Sequence, residues 1–130
     1  MPITYDIDAD GVVTTTLSGF VDRAAYLDHP QELAVDDRII WPLREVFDTR
    51  EMTGTDVLGQ DIRANSAPSP QVMATLKHAR IAIIAKSELS YGLGRMFQTM
   101  SSMVDASVLV TEDADAAQQY VRLSSQESRN

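Results

Sequence analysis

The chain contains no cysteine. Disulfides, thiolate zinc sites and a cysteine nucleophile are thereby excluded, and no apolar run follows a basic N-terminal segment as export requires. A cytoplasmic protein is expected. No stretch approaches the ~20 apolar residues of a bilayer span, so stable membrane insertion is not expected either. Basic residues are scarce in the first half, where residues 1–61 hold thirteen Asp/Glu against four Lys/Arg. That segment carries −9 and the remainder +1, giving −8 in all. An acidic front repels phosphate backbones and anionic headgroups, which argues against nucleic acid as a partner. A basic protein partner fits it, as does a solvated surface that maintains solubility.

Chemistry-bearing motifs are also sparse. His29 and His78 are the only histidines, far apart, with no second histidine at helical metal-pair spacing. His29 before Pro30 reads as a turn residue and His78 as a helix-end cation. Asp6, Asp8, Asp10 and Gly11 match the start of a calcium loop, but the twelfth position is Leu17 instead of a bidentate glutamate. Gly54 and Gly59 have phosphate-loop spacing, yet Gln60-Asp61 stands where a lysine and a hydroxyl must grip phosphate. Ser90 lacks the flanking glycines of a nucleophile elbow. No metal, cofactor or catalytic set is expected, and the chain is read as a non-enzyme.

With 130 residues, 44% hydrophobic and 23% charged, the chain suits one domain over residues 1–123 with a polar, flexible tail at 124–130. Ile3–Ile7 and Val12–Leu17 alternate in polarity and are joined by Asp8-Ala9-Asp10-Gly11, a hairpin signal. Asp22 caps a helical turn through Leu27, and Pro30 suits the first position of a second helix leading to Trp41-Pro42. A third strand spans Leu43–Phe47, followed by a charged turn. Thr55 or Asp56 then caps a helix containing Val57, Leu58 and Ile62, which Pro68 ends, and Ser69-Pro70 restarts one through Val72, Met73 and Leu76. The apolar run Arg80–Ala85 fits a strand buried on both faces. Ser87 caps a long helix whose Leu89, Leu93, Met96, Phe97, Met100 and Met103 keep the 3.6-residue period. Ala106–Val110 is a fifth strand and Asp113–Leu123 a last helix. The order is ββαβαβαβα, an α/β sandwich with a mixed sheet of about five strands and helices mainly on one face.

That order, together with PITYDID and its Gly11 hairpin, LSGFVD at 17–22, FDTREMTG at 47–54 and SELSYGLGRMF at 87–97, resembles the SpoIIAA-like family. These are small bacterial domains related to the STAS domains of anti-sigma-factor antagonists and loosely grouped with Sec14-type lipid-binding domains. The resemblance implies a STAS-like fold and a regulatory module that binds a protein partner. STAS antagonists carry an Asp-Ser-Ser/Thr-Gly motif after the third strand, whose last hydroxyl is phosphorylated. Here it falls on Glu51-Met52-Thr53-Gly54, matching in the hydroxyl and the glycine. The resemblance thus implies Thr53 as phosphoacceptor, within an interaction turn of Asp48, Thr53, Gly54, Thr55 and Asp56. From the residues alone, Thr53 or Thr55 caps the following helix.

A second candidate surface is an apolar pocket or homodimer face made of Trp41, Tyr91, Gly94, Arg95, Phe97 and Met100. Gly92 and Gly94 lower helix propensity and so signal close packing, expected against a second subunit or a mobile neighbour. Two functions compete: a non-enzymatic protein-binding module, and a carrier or sensor of a lipid or other apolar ligand. A cavity lined by Phe97, Met100 and Trp41 favours the carrier; a solid core favours the protein-binding module.

Overall fold

The computed structural model of the chain describes residues 2–57, 77–101 and 106–123. Five strands form one sheet in the order β1-β2-β3-β4-β5: β1 Ile3–Ile7, β2 Val13–Val21, β3 Arg44–Thr55, β4 Arg80–Ile84 and β5 Ser107–Thr111. β1 and β2 pair antiparallel, and every later neighbour pairs parallel. The described helices are α1 Arg23–Ala34, α2 Glu88–Ser101 and α3 Ala114–Arg122. The expected helices between β3 and β4, with Gly59, Pro68 and Ser69-Pro70, lie outside the described residues, as do Met103 and the tail.

The β1–β2 turn forms because Asp8 Oδ1 accepts the amides of Asp10 and Val12 while Gly11 takes the left-handed conformation, φ +84°. Asp22 caps α1 by accepting the Ala25 amide at 2.7 Å, and Ser87 and Asp113 cap α2 and α3 in the same way. α1 does not break at Pro30. It runs on to Ala34, because Tyr26, His29, Pro30 and Leu33 recur at helical spacing on one stripe toward the sheet, and that burial outweighs the lost amide.

β3 is longer than expected. The residues after Phe47 do not turn; they stay in the strand and pair Ser18–Val21 of β2 as far as Thr55. Two irregularities in the β2–β3 register disguise this, since Thr16 faces Asp48 but Ser18 already faces Glu51. Thr49 and Arg50 are absorbed in a bulge, where Asp48 accepts the Arg50 amide and binds its guanidinium at 2.7 Å. The alternation of buried and exposed residues is thereby interrupted.

Both faces of the sheet are covered. On one, Val13, Ile81, Ile83 and Val110 meet Leu33 of α1 and Tyr91 and Phe97 of α2; on the other, Val46, Ala82 and Ile84 meet Ala117 and Val121 of α3. β4 contributes to both clusters, which explains its unbroken apolar run. Arg122 of α3 binds Asp8 at 2.7 Å and Asp10 at 2.8 Å, tying the last helix to the first hairpin.

Candidate functional site

A cavity lies between the sheet and the pair α1 and α2, toward the carboxyl ends of β2 and β3. About 100 Å³ of it is open to the centre of a water molecule, several times what one water needs. Its wall is largely apolar: Leu17 and Val21 from β2, Met52 from β3, Leu93 and Phe97 from α2, and Ile83 from β4. Among the described residues no lysine or arginine lines it.

Three polar side chains are buried within this apolar layer. Glu45 is 1% exposed, Thr15 0% and His29 5%. Glu45 and Thr15 point to the same face because β2 and β3 are parallel with Val13 beside Glu45, and His29 reaches down from the buried stripe of α1. Glu45 Oε2 accepts the Thr15 hydroxyl and faces His29 Nε2 at 2.7 Å. The rings of Tyr5 and Phe47 stand edge-on to the imidazole at 5.6 and 5.7 Å. Burial disfavours the charged imidazole, but the Glu45 carboxylate, by charge and hydrogen bond, and Glu32 beyond it hold the His29 pKa above its ordinary value. A carboxylate only accepts, so Nε2 carries the proton that Glu45 receives. His29 Nδ1 is buried and has no hydrogen-bond partner among the described residues. His29 is therefore not a turn residue but the core partner of Glu45.

Neither Thr15 nor Glu45 stood out in the sequence. The signal was a carboxylate inside the apolar run of an interior strand: buried charges are paired, and a histidine on the preceding helix is the nearest candidate.

The sequence-derived candidates divide between two places. Gly94 and Phe97 line the cavity, whereas Trp41, Tyr91 and Arg95 are not in its wall and the Met100 side chain lies outside the described residues. Trp41 is 44% exposed, and Arg95 lies over the Tyr91 ring. Gly94 faces its own sheet: a Cβ there would meet Val110 at 3.2 Å and Ile83 at 3.4 Å, so its close packing is within the chain. A Cβ on Gly92 would meet nothing within 4 Å among the described residues. Ser90 borders the cavity, but its hydroxyl accepts the Lys86 and Ser87 amides and caps the start of α2.

The candidate turn is spread along β3. Asp48 pairs with Arg50, which lowers the Asp48 pKa. Thr53 is exposed in mid-strand, not at a helix mouth, and a Cβ on Gly54 would touch the Phe20 ring at 3.3 Å. Thr55 donates to Val21 O and accepts the Val57 amide, as a capping hydroxyl does. Asp56 instead accepts the Arg23 amide at the start of α1, at 2.7 Å. His78 takes a left-handed conformation, φ 59°, just before β4.

Among solved structures, the chain is similar to an uncharacterized protein from the DUF3478 family with a SpoIIAA-like fold from Shewanella loihica PV-4. The TM-score is 0.57 at 16% identity, covering 92% of this chain and 91% of that one. The fold is SpoIIAA-like. No family model matches the chain, and no curated protein does. The SpoIIAA-like sheet therefore supplies the scaffold, and the role has to be argued from the cavity and its buried polar group. Among the described residues no helix is long and apolar enough to cross a membrane.

Proposed function

We propose that this SpoIIAA-like domain is a non-catalytic binding module that holds a small apolar ligand between its sheet and α1 and α2, as a carrier or sensor. One observation carries the reading: among the described residues, the partly open recess beneath α1 and α2 is walled almost wholly by apolar side chains. A ligand that replaces water against such a wall gains the free energy of burying apolar surface. Leu17, Met52, Leu93 and Phe97 offer such a ligand dispersion contacts. Its place at the carboxyl ends of parallel strands is where open α/β sheets hold ligands.

The test is native mass spectrometry of the protein purified gently from its source cell. A small molecule retained in the native spectrum and lost on organic denaturation supports the module; the bare chain mass under every growth condition counts against it. The protein-binding reading through Thr53 is favoured by a different observation. Among the described residues, β3 pairs with β4 only as far as Asp48, so the strand carrying Thr53 runs on past its neighbour with one edge open to another chain.

A further inference from the structure

We infer that the outer face of α2 is a self-association surface and that its occupant is a second copy of this chain, docked antiparallel across Gly92. Glu88, Leu89, Gly92, Arg95 and Met96 are all exposed and recur at three- and four-residue spacing, so they form one stripe along the helix. The opposite side of α2, with Leu93 and Phe97, lines the cavity, and the two surfaces are therefore separate. Two members of the stripe are large and apolar: Leu89 is 44% exposed and Met96 38%. Among the described residues there is open space above Gly92, where the absence of a side chain lets another helix come close.

The arrangement of the stripe is its own complement. At about 3.6 residues per turn, Gly92 falls on its midline, Glu88 and Arg95 on one flank and Leu89 and Met96 on the other. A two-fold axis passing beside Gly92, perpendicular to both helices, reverses the direction of the second α2 and keeps each flank on its own side. Glu88, four residues before Gly92, then faces the partner's Arg95, three residues beyond it, and Leu89 meets the partner's Met96 in the same way. Each contact occurs twice. Arg95 is restrained for this pairing, since it lies over the Tyr91 ring and donates to the Tyr91 hydroxyl at 3.2 Å, so less side-chain entropy is lost when it engages a carboxylate. Charge also selects the occupant. A chain of net charge −8 repels its copies, above all through residues 1–61, which carry −9. The α2 stripe holds one carboxylate and one guanidinium, so two copies meet there without like-charge repulsion, and a basic partner finds no net negative charge to match. One helix face a side is well short of the roughly 20–30 residues of a standard interface, so the dimer is weak and concentration-dependent.

Sedimentation equilibrium of the full chain from about 1 µM to about 1 mM is expected to show a reversible equilibrium of monomer and dimer. Glu88→Arg and Arg95→Glu each set like charges against one another in both symmetric pairs, and each should weaken the dimer at least about tenfold. An equimolar mixture of these two variants brings opposite charges together again and should restore the dimer as a mixed species. Gly92→Leu fills the crossing point and should likewise weaken association at least about tenfold. Its side chain enters open space in the single chain, so circular dichroism should show the native helix content. A native chain that stays monomeric over the whole range overturns the inference, whether the face is bare or serves a different protein. A dimer indifferent to Gly92→Leu and to both charge reversals overturns it by placing the contact elsewhere, and so does a mixture no more dimeric than its components.

Discussion

Glu45→Leu isolates the buried polar group. The substitution removes the acceptor shared by Thr15 Oγ1 and His29 Nε2, both of which remain buried among Val13, Leu43, Ile81 and Phe47. Each orphaned group costs about 1–3 kcal/mol, and breaking a buried ion pair from one side costs about 3–5 kcal/mol, so a loss of about 4 kcal/mol is expected. The triple replacement T15V/H29L/E45L leaves no polar group behind. It should return to within about 1 kcal/mol of the native chain or exceed it, since apolar replacement of a buried pair is often neutral or stabilising. Urea denaturation followed by circular dichroism measures both, with an unchanged slope showing that the same surface unfolds. A Glu45→Leu chain within about 0.5 kcal/mol of the native one would refute the argument, as would a triple variant less stable than the single. Were the triple the more stable protein, the natural group would be one kept at a cost in stability, as binding sites often are.

Other expectations concern the same frame. Because the His29 pKa is raised in the folded chain, its pairing stabilises fully below about pH 6.5 and is lost as pH rises through the raised value; Glu45→Gln should flatten or invert that slope in denaturation midpoints. A slope unaltered by Glu45→Gln would assign it to other groups. Gly94→Val should lower stability by about 1–3 kcal/mol, since its Cβ presses on Val110 and Ile83, whereas Gly92→Ala, with open space around it, should raise it by up to about 1 kcal/mol. Melting temperatures that moved alike would contradict this packing. Thr53 caps no helix, so Thr53→Ala and Thr53→Asp should both leave stability within about 0.5 kcal/mol. Pull-downs with the three proteins then report on binding alone: partners gained or lost only with Thr53→Asp support a phosphorylation switch, and identical partners remove Thr53 from the site.

Much of the frame was legible because it rests on local chemistry. The Asp-Gly hairpin, the caps Asp22 and Ser87, and the two-sided apolar run of β4 each depend on residues near one another in the chain. What escaped depends on partners distant in sequence. β3 outran its expected end because the bulge at Thr49–Arg50 breaks the period of two, and Thr-Gly-Thr-Asp reads as a helix start although its residues through Thr55 still belong to β3. Pro30 looked like a boundary, yet the stripe of Tyr26, His29 and Leu33 continues through it. The carboxyl ends of the parallel strands hold the cavity, lined there by Leu17, Val21 and Met52 under α1 and α2, while Thr53 lies exposed on β3. His29 and Glu45, sixteen residues apart, find each other only when α1 folds onto the sheet.

The central claim is that the space beneath α1 and α2 is a ligand site, and intermolecular NOEs address it most directly. With ¹³C-methyl-labelled protein and unlabelled 2-octanone, the alkyl protons should show NOEs to the methyls of Leu17, Val21, Met52 and Leu93, with saturable shifts at those positions. NOEs confined to the exposed Val35, Ile40 and Leu89, or no NOE at saturating probe, would contradict it.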